Sequence, residues 1–259
     1  MKKTLFFMMI LAVLAIGCKN NKKSKSLNYS DSNPISMVLQ GNHQIAASSD
    51  YDISYSAINS DPHIEVITVS GSGNIYGKNV GNAKVSLSNG YEEMTVDVNV
   101  ALFTQPTFEF GCNSERIRAL YGRPYNSGYN PEGKLVYQYT GSQGYSYACG
   151  EMDFFFNNGA YEESDVYIRP SVSYLLNNYL TENFNHYADI NDTIPISETQ
   201  DTIITLSVYK YKQDENIICG KRLALNQWNE ILLFYFRNES GKALDNSLKM
   251  RPRSSKFLY

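Results

Sequence analysis

The chain has 259 residues, of which 23 are Lys or Arg and 26 are Asp or Glu, so its formal net charge is −3 at pH 7. This balance lacks the basic surplus of a general polyanion binder and so excludes nucleic acid as a partner. The 21 Tyr and 12 Phe residues instead favour a sheet-rich protein, because aromatic side chains fit a half-buried pleated surface. A chain of this length holds about two domains of roughly 100–150 residues each.

The first 17 residues have the three parts of a secretory signal. Two lysines open the segment, an apolar run covers residues 5–16, and the small Gly17 stands before Cys18. A membrane-spanning helix needs roughly 20 apolar residues, and this run has only about a dozen. We therefore predict that residues 1–17 are a removable signal peptide. Subtracting their two lysines leaves 21 basic against 26 acidic residues, a net charge of −5.

The end of this signal, Ala15-Ile16-Gly17-Cys18, resembles the lipobox of bacterial lipoproteins. The resemblance implies that Cys18 is lipidated and becomes the first residue of the mature chain. It also implies a membrane-anchored protein of the bacterial cell envelope, held by its lipid in the outer membrane on the periplasmic or the outer side. Residues 18–33 are polar and poor in apolar side chains, so we expect a flexible tether there.

Residues 34–102 alternate apolar and polar side chains in short segments separated by Gly, Asn and Pro, a pattern that predicts a β-sandwich. Three segments carry a more specific resemblance: ISYSAINSD at 53–61, GSGNIYGKNVGNAKVSLSNG at 71–90 and TVDVNV at 95–100. They resemble the bacterial immunoglobulin-like (Ig-like) group 2 domain. The resemblance implies an all-β Ig-like sandwich, which we interpret as a stalk.

Residues 106–240 predict an α+β interaction domain that begins after Pro106. A short helix is expected at 113–121, followed by strands at 134–139, 144–148, 152–156 and 165–169. A second helix from Ser171 leads into a polar loop at 189–199 and strands at 202–212, 217–225 and 230–237. We interpret 113–169 and 171–237 as two copies of one helix plus an antiparallel meander.

The first of these copies carries a short motif, Gly111-x-x-Ser114-x-x-Ile117-x-x-x-Tyr121-Gly122-x-Pro124, with Leu135-x-Tyr137 and Phe154-x-Phe156 behind it. It resembles the small envelope lipoproteins and inhibitors of the BamE and β-lactamase-inhibitor-protein type. The resemblance implies a protein-binding surface on the sheet. Residues 241–259 form a C-terminal tail that gathers basic side chains at Lys249, Arg251, Arg253 and Lys256.

No template for catalysis is found in the sequence. His43, His63 and His186 are isolated, no G-x-S-x-G nucleophile motif occurs, and no phosphate-binding glycine loop opens a helix. The cysteines lack zinc-like spacing. We therefore expect no enzyme activity, no metal site and no cofactor.

Tyrosines form the candidate binding site. Tyr137 and Tyr139 share one face of a predicted strand, and Tyr145 and Tyr147 share one face of its neighbour, so the four can form a cross-strand cluster. Such a cluster suits a protein interface or a sugar ring. The alternative is that these rings are ordinary core residues beneath the helices.

Three cysteines, Cys112, Cys149 and Cys219, remain after lipidation. In an oxidising compartment Cys112 and Cys149 are the candidate disulfide pair, and the alternative is three buried free thiols. The sequence thus predicts a non-enzymatic cell-envelope lipoprotein that presents a protein-interaction module on an Ig-like stalk. The alternative function is a glycan-binding surface lipoprotein that uses exposed tyrosines.

Overall fold

The computed structural model describes residues 23–140, 147–197, 200–223 and 230–238, and for residues 192–197 and 200–204 it describes the backbone alone. The predicted signal peptide, the lipidation site Cys18, the candidate site residue Tyr145 and the tail at 241–259 lie outside the described residues. The described chain is mostly β-sheet with two α-helices.

The N-terminal part is an all-β sandwich. Its described strands are β1 Asn28–Tyr29, β2 Ile35–Val38, β3 Asn42–Gln44, β4 Ala47–Ser48, β5 Ser54–Asn59, β6 Ile67–Val69, β7 Asn74–Gly77, β8 Gly81–Ser88 and β9 Glu93–Ala101. The two sheets have the strand orders β2-β9-β8-β5 and β3-β7-β6, and β1 and β4 form a separate two-stranded ribbon. Strand β2 runs parallel to β9, whereas the other pairs are antiparallel.

The sandwich core follows the period-2 pattern of its two longest strands. Val85 and Leu87 of β8 and Val96 and Val98 of β9 are buried, while the residues between them are more exposed. Gly73 has a positive φ of 81°, and the ring of Tyr55 occupies the space that a Cβ would need. Glycine is therefore favoured at position 73 both by the backbone conformation of the turn and by the packing of the Tyr55 ring.

The described part of the predicted tether, residues 23–33, contacts the sandwich. The backbone N–H of Leu27 donates to a carboxylate oxygen of Glu92 at 2.7 Å, and the side-chain amide of Asn89 donates to the carbonyl of Lys25 at 2.9 Å. Leu27 and Tyr29 pack against the sandwich core. These few apolar contacts and long-range hydrogen bonds hold a segment whose composition alone looks unstructured, so the sandwich begins before residue 34.

The C-terminal part is built on one antiparallel sheet. Its described elements are α1 Ser114–Tyr121, β10 Asn126–Tyr129, β11 Leu135–Thr140, β12 Cys149–Asn157, β13 Ala160–Ile168, α2 Ser173–Asn183, β14 Phe184–Ser197, β15 Gln200–Tyr211, β16 Ile217–Leu223 and β17 Ile231–Arg237. The strand order is β10-β11-β12-β13-β17-β16-β15-β14. Each α-helix is followed by four strands, and the last strands of the two sets, β13 and β17, pair at the centre of the sheet.

The predicted loop at 189–199 and strand at 144–148 differ from the structure. Strand β14 continues to Ser197 because its backbone pairs with β15 along almost its whole length, which needs no apolar side chains. Residues 141–146 lie outside the described part, and residues 147 and 148 are bends before β12. Strand β10 was not predicted.

Both helices lie on one face of the large sheet, called here the helix face. Ile117 of α1 and Leu176 and Leu180 of α2 are fully buried in a cluster with side chains from the central strands. Leu102 and Phe103, at the end of the sandwich, join the same cluster. The sandwich and the α+β part therefore share a continuous core across the boundary predicted near Pro106.

Candidate functional site

The predicted tyrosine cluster is not an exposed site. Tyr137 and Tyr139 are only 4% and 0% exposed, because both point to the helix face. The Tyr139 hydroxyl donates to the carbonyl of Gly122 at 3.1 Å, and the Arg118 guanidinium lies 5.0 Å from the Tyr137 ring centre. Tyr147 is 40% exposed. The prediction that Tyr137 and Tyr139 bind a partner is therefore wrong, because helix α1 and its neighbours cover them.

The predicted disulfide is also absent. No disulfide joins any two of the described cysteines Cys112, Cys149 and Cys219; Cys112 is partly buried and the other two are fully buried. Burial raises the pKa of the Cys149 thiol to about 12, so this thiol stays protonated near neutral pH. Cys149 and Cys219 therefore match the alternative prediction, in which buried cysteines pack as small apolar side chains.

The described histidines hold local contacts. His43 lies 3.2 Å from Asp31, and His186 lies 3.2 Å from Asp189. Within the described ranges, no three His, Cys, Asp or Glu side chains are arranged to hold a metal ion. No helix in the same ranges is long and apolar enough to cross a membrane.

The edge of the large sheet carries the most exposed aromatic side chains near the predicted site. Among the described strands, β10 lies at the edge of the sheet and pairs only with β11. Tyr125, just before it, is 71% exposed, and Tyr129, at its end, is 62% exposed. We call β10 with these two tyrosines the edge surface. The sequence signal for this strand is the alternation that places Tyr125, Ser127 and Tyr129 on one face. The Asn, Ser and Gly residues of the same segment favour a turn instead, so composition obscures the strand.

The edge surface lacks the usual protection of an exposed strand edge. Its sequence, Asn126-Ser127-Gly128-Tyr129, contains no charged residue and no proline within the strand. Proteins normally blunt such edges with Lys or Pro, because unpaired backbone groups invite another strand. This edge can therefore accept an extended segment from a partner, with the two tyrosine rings beside it.

The sheet face that points away from the helices, called here the distal face, carries a second apolar cluster. Its buried members, all on strands β15, β16 and β17, are Leu206, Val208, Ile218, Leu232, Phe234 and Phe236, with exposed fractions from 0% to 4%. Tyr167 and Ile190, also on strands, pack against them. Helices α1 and α2 contribute no residue to this cluster.

Acidic side chains continue the distal face onto β12 and β13. Asp153 lies between the helix-face residues Met152 and Phe154, so it points away from the helices, and its cross-strand neighbour is Asp165. Glu151 lies two residues before Asp153 on β12, and Glu163 lies two residues before Asp165 on β13. Both therefore share the distal face with these aspartates. Asp153, Asp165 and Glu163 are buried to 0%, 1% and 5% exposure.

Burial raises the pKa of two carboxyl groups in this cluster, Asp153 and Glu151. Desolvation, followed by the charges of Glu151 and Asp165, raises the pKa of Asp153 well above its ordinary value. Desolvation likewise raises the pKa of Glu151. Gln138 donates its amide to Glu151 at 3.1 Å, and neither carboxylate oxygen of Asp153 has a hydrogen-bond partner among the described residues. Asp153 and Glu151 therefore keep their protons to higher pH than exposed carboxyl groups do.

A cleft of about 640 Å³ lies between the sandwich and helix α2. Its polar lining consists mainly of amides and includes one carboxylate, Glu182, and its described lining has no Lys, Arg or His. This composition suits an uncharged polar ligand better than an anion. The lining amides are Asn82, Asn99, Gln105, Asn178 and Asn183.

Comparison with known proteins leaves the family open. No protein-family model matches the chain, and no curated protein matches it. Among solved structures, domains 5–6 of the S-layer protein SbsC are similar over 85% of both chains, with 12% sequence identity and a TM-score of 0.25. At that TM-score the similarity supports no conclusion about fold or function.

Proposed function

We propose that the chain is a lipoprotein of the bacterial cell envelope that acts without catalysis, by presenting its α+β part to another envelope protein. The edge surface carries this proposal, because it combines a strand edge that no other described strand covers with two exposed tyrosines. A partner that supplies an extended strand pairs with β10, and its side chains contact Tyr125 and Tyr129. Envelope attachment through Cys18 places the edge surface near such partners.

The finer fold assignments belong to the same proposal. The sandwich acts as an Ig-like stalk of the group 2 type, supported by its sequence motifs and its two packed sheets. The two halves of the α+β part are structural copies of the BamE and β-lactamase-inhibitor-protein type. The repeated order of one helix and four strands, with β13 and β17 meeting at the centre, supports this interpretation.

Removing the aromatic rings of Tyr125 and Tyr129 is expected to reduce the capture of a partner strongly. A photo-crosslinking residue at position 127, in cells that express the full chain, should yield a defined adduct with one envelope protein. The double variant Tyr125→Ser/Tyr129→Ser should lower that yield by about tenfold or more, because buried aromatic anchors dominate interface energies. The readout is the adduct, identified by mass spectrometry.

The matched control is Tyr174→Ser/Tyr187→Ser, since these tyrosines are 69% and 54% exposed elsewhere on the same module. The control should leave the adduct unchanged. Equal adduct yields from both double variants, or no adduct at position 127, would contradict the proposal.

Glycan binding is the second candidate function, and the amide-rich cleft is the observation that favours it. Amide side chains donate and accept hydrogen bonds without charge, as sugar hydroxyls require. A glycan array with the folded chain distinguishes the two functions. Sugar binding that Asn99→Leu/Asn178→Leu abolishes would support the glycan function, and no binding to any sugar would exclude it.

Lipidation at Cys18 is expected to determine membrane attachment. The mature chain should begin at Cys18 with covalent acyl chains and partition with membranes, because two or more chains give stable anchoring. Cys18→Ser should remove the acyl mass and move most of the chain out of the membrane fraction. Cys112→Ser is the control and should stay membrane-bound. An unmodified Cys18 in the wild-type chain would refute the lipoprotein assignment.

A further inference from the structure

The N-terminal segment of the described chain is bound to one end of the sandwich. The backbone N–H of Ser24 donates to a carboxylate oxygen of Asp50 at 2.6 Å. The buried side-chain amide of Asn89 donates to the carbonyl of Lys25 at 2.9 Å, and its oxygen accepts the backbone N–H of Tyr91 at 3.0 Å. These hydrogen bonds join distant parts of the chain, so they determine where the segment meets the sandwich.

The sandwich presents two tyrosines and two lysines at this end. The ring centres of Tyr51 and Tyr91 are 4.6 Å apart. The ammonium of Lys23 lies 5.3 Å from the centre of the Tyr51 ring, and that of Lys25 lies 4.7 Å from the centre of the Tyr91 ring. Tyr91 is 53% exposed, and both lysines are exposed. We call these four residues the Tyr–Lys surface. Tyrosine and lysine each combine an apolar body with a polar or charged tip, which suits the boundary between lipid and water.

The lysines of this surface are placed to bind an anionic group. No ion pair within the described ranges involves Lys23 or Lys25. The carboxylates of Asp50 and Glu92, at the same end, accept backbone N–H groups of the N-terminal segment instead. Asp52 adds an exposed carboxylate nearby. This end therefore offers ammonium groups to phosphates and a carboxylate to the ammonium of a zwitterionic headgroup.

The proposed lipid attachment site lies close to this surface along the chain. Cys18 precedes Lys23 by five residues, and five residues span at most about 18 Å. A lipid on Cys18 therefore keeps the start of the described chain within that distance of the headgroups. Lys19 and Lys22 lie in the same short stretch of sequence and add two positive charges.

The α+β part follows from the opposite end of the sandwich. Strand β9 begins at Glu93, two residues after Tyr91, and its nine residues extend about 30 Å. The chain then enters the α+β part through Leu102 and Phe103, which belong to its buried cluster. A membrane at the Tyr–Lys surface therefore leaves room for the α+β part and its edge surface.

We propose that the Tyr–Lys surface rests on the phospholipid headgroups of the membrane in which Cys18 is anchored. The two lysines bind headgroup phosphates, and the two tyrosine rings lie at the level of the headgroups. This inference rests on the lipid attachment in the proposed function and adds a fixed orientation to it. The sandwich then acts as a spacer that holds the edge surface away from the lipid.

Photo-crosslinking to lipid tests this contact. The full acylated chain is inserted into vesicles of phosphatidylethanolamine and phosphatidylglycerol in equal parts, with a benzophenone side chain in place of Tyr91. Position 91 should form covalent lipid adducts, measured as added lipid mass. The control replaces Ile64, which is 47% exposed beyond the far end of β5. Its lipid adducts should be at least about tenfold fewer, because the six residues of β5 separate the two ends by about 20 Å.

Removing the two lysine charges should weaken the contact. Lys23→Gln/Lys25→Gln should lower the lipid adducts at position 91 by about fivefold or more, because lysines near an anionic surface add to its binding. Lys78→Gln/Lys84→Gln is the matched control, since it removes the same charge from other exposed positions of the sandwich. This control should leave the adducts unchanged. Equal losses from the two double variants would overturn the proposal.

The mass at Cys18, measured on the same sample, separates this contact from the proposed function. An acylated Cys18 with equal lipid adducts at positions 91 and 64, or with none at position 91, would overturn the membrane contact and leave the lipoprotein assignment standing. An unmodified Cys18 would refute both. Loss of the partner adduct at position 127 with lipid adducts intact at position 91 would remove the edge surface and leave the membrane contact.

Discussion

Replacing Gly220 with alanine is expected to lower the free energy of unfolding by about 2–3 kcal/mol, the range typical of overpacked cores. Gly220 lies on β16, and a Cβ at this position would overlap the ring of Phe234 on the neighbouring strand. Phe234 is 1% exposed and belongs to the apolar cluster of the distal face, so its ring has little room to move. Urea denaturation measures the loss.

Gly71→Ala is the matched control for this substitution. A Cβ at Gly71 would meet no atom within 4 Å, and its φ is outside the left-handed region that favours glycine. The control should therefore change the free energy of unfolding by no more than about 0.5 kcal/mol, as surface substitutions usually do. Equal stabilities of the two alanine variants would show that Phe234 does not pack over Gly220.

Replacing Asp153 with asparagine is expected to stabilise the chain increasingly as the pH rises. Burial raises the pKa of Asp153 in the folded state above its ordinary value of 3.8, so the folded chain binds this proton more tightly than the unfolded chain. The stability that the bound proton contributes is fully present below the pKa that Asp153 has in the unfolded chain. It is lost as the pH rises through the higher pKa that Asp153 has in the folded chain. Between these values the loss approaches about 1.4 kcal/mol per pH unit.

The measurement is a set of urea denaturation curves for wild type and Asp153→Asn from pH 4 to pH 8. The stability difference should grow with pH in favour of the variant, since asparagine has a similar shape and does not titrate. Asp97→Asn serves as the control, because Asp97 is in an exposed ion pair with Lys84. A pH-independent difference for Asp153→Asn would contradict the burial of an ionisable carboxyl in the cluster.

Local signals predicted the first helix well. Asn113 caps α1 by accepting a hydrogen bond from the backbone N–H of Arg116 at 3.0 Å, and Gly122 ends the helix with a positive φ of 78°. Both features are written in a few adjacent residues. The helix could therefore be predicted from the sequence alone.

Pairing and packing decided where local signals misled. The Asn59 side chain accepts hydrogen bonds from the backbone N–H groups of Val66 and Ile67 at 2.8 and 3.0 Å, and strand β6 begins only at Ile67. The polar residues of β14 and the short β10 are strands because a neighbouring strand pairs with them. Such long-range hydrogen bonds leave little trace in local composition.

The candidate site shows the same division. Period 2 predicted correctly that Tyr137 and Tyr139 share a face. Their burial depends on α1, which lies on that face, whereas Tyr125 and Tyr129 extend beyond its cover at the sheet edge. The acidic cluster was not predicted, because Asp153 and Asp165 are 12 residues apart and become neighbours only through the pairing of β12 with β13.

The sequence by itself determined the sheet-rich class, the alternation that divides each strand into two faces, and the ends of α1. The lipoprotein-like signal also comes from the sequence alone and stays a prediction. These properties depend on residues close together in the chain. Only the tertiary structure decided which face the helices cover, which tyrosines remain exposed, and which carboxylates meet on the distal face. The physical reason is that alternation assigns side chains to two faces, but burial depends on the elements that pack against each face from distant parts of the chain.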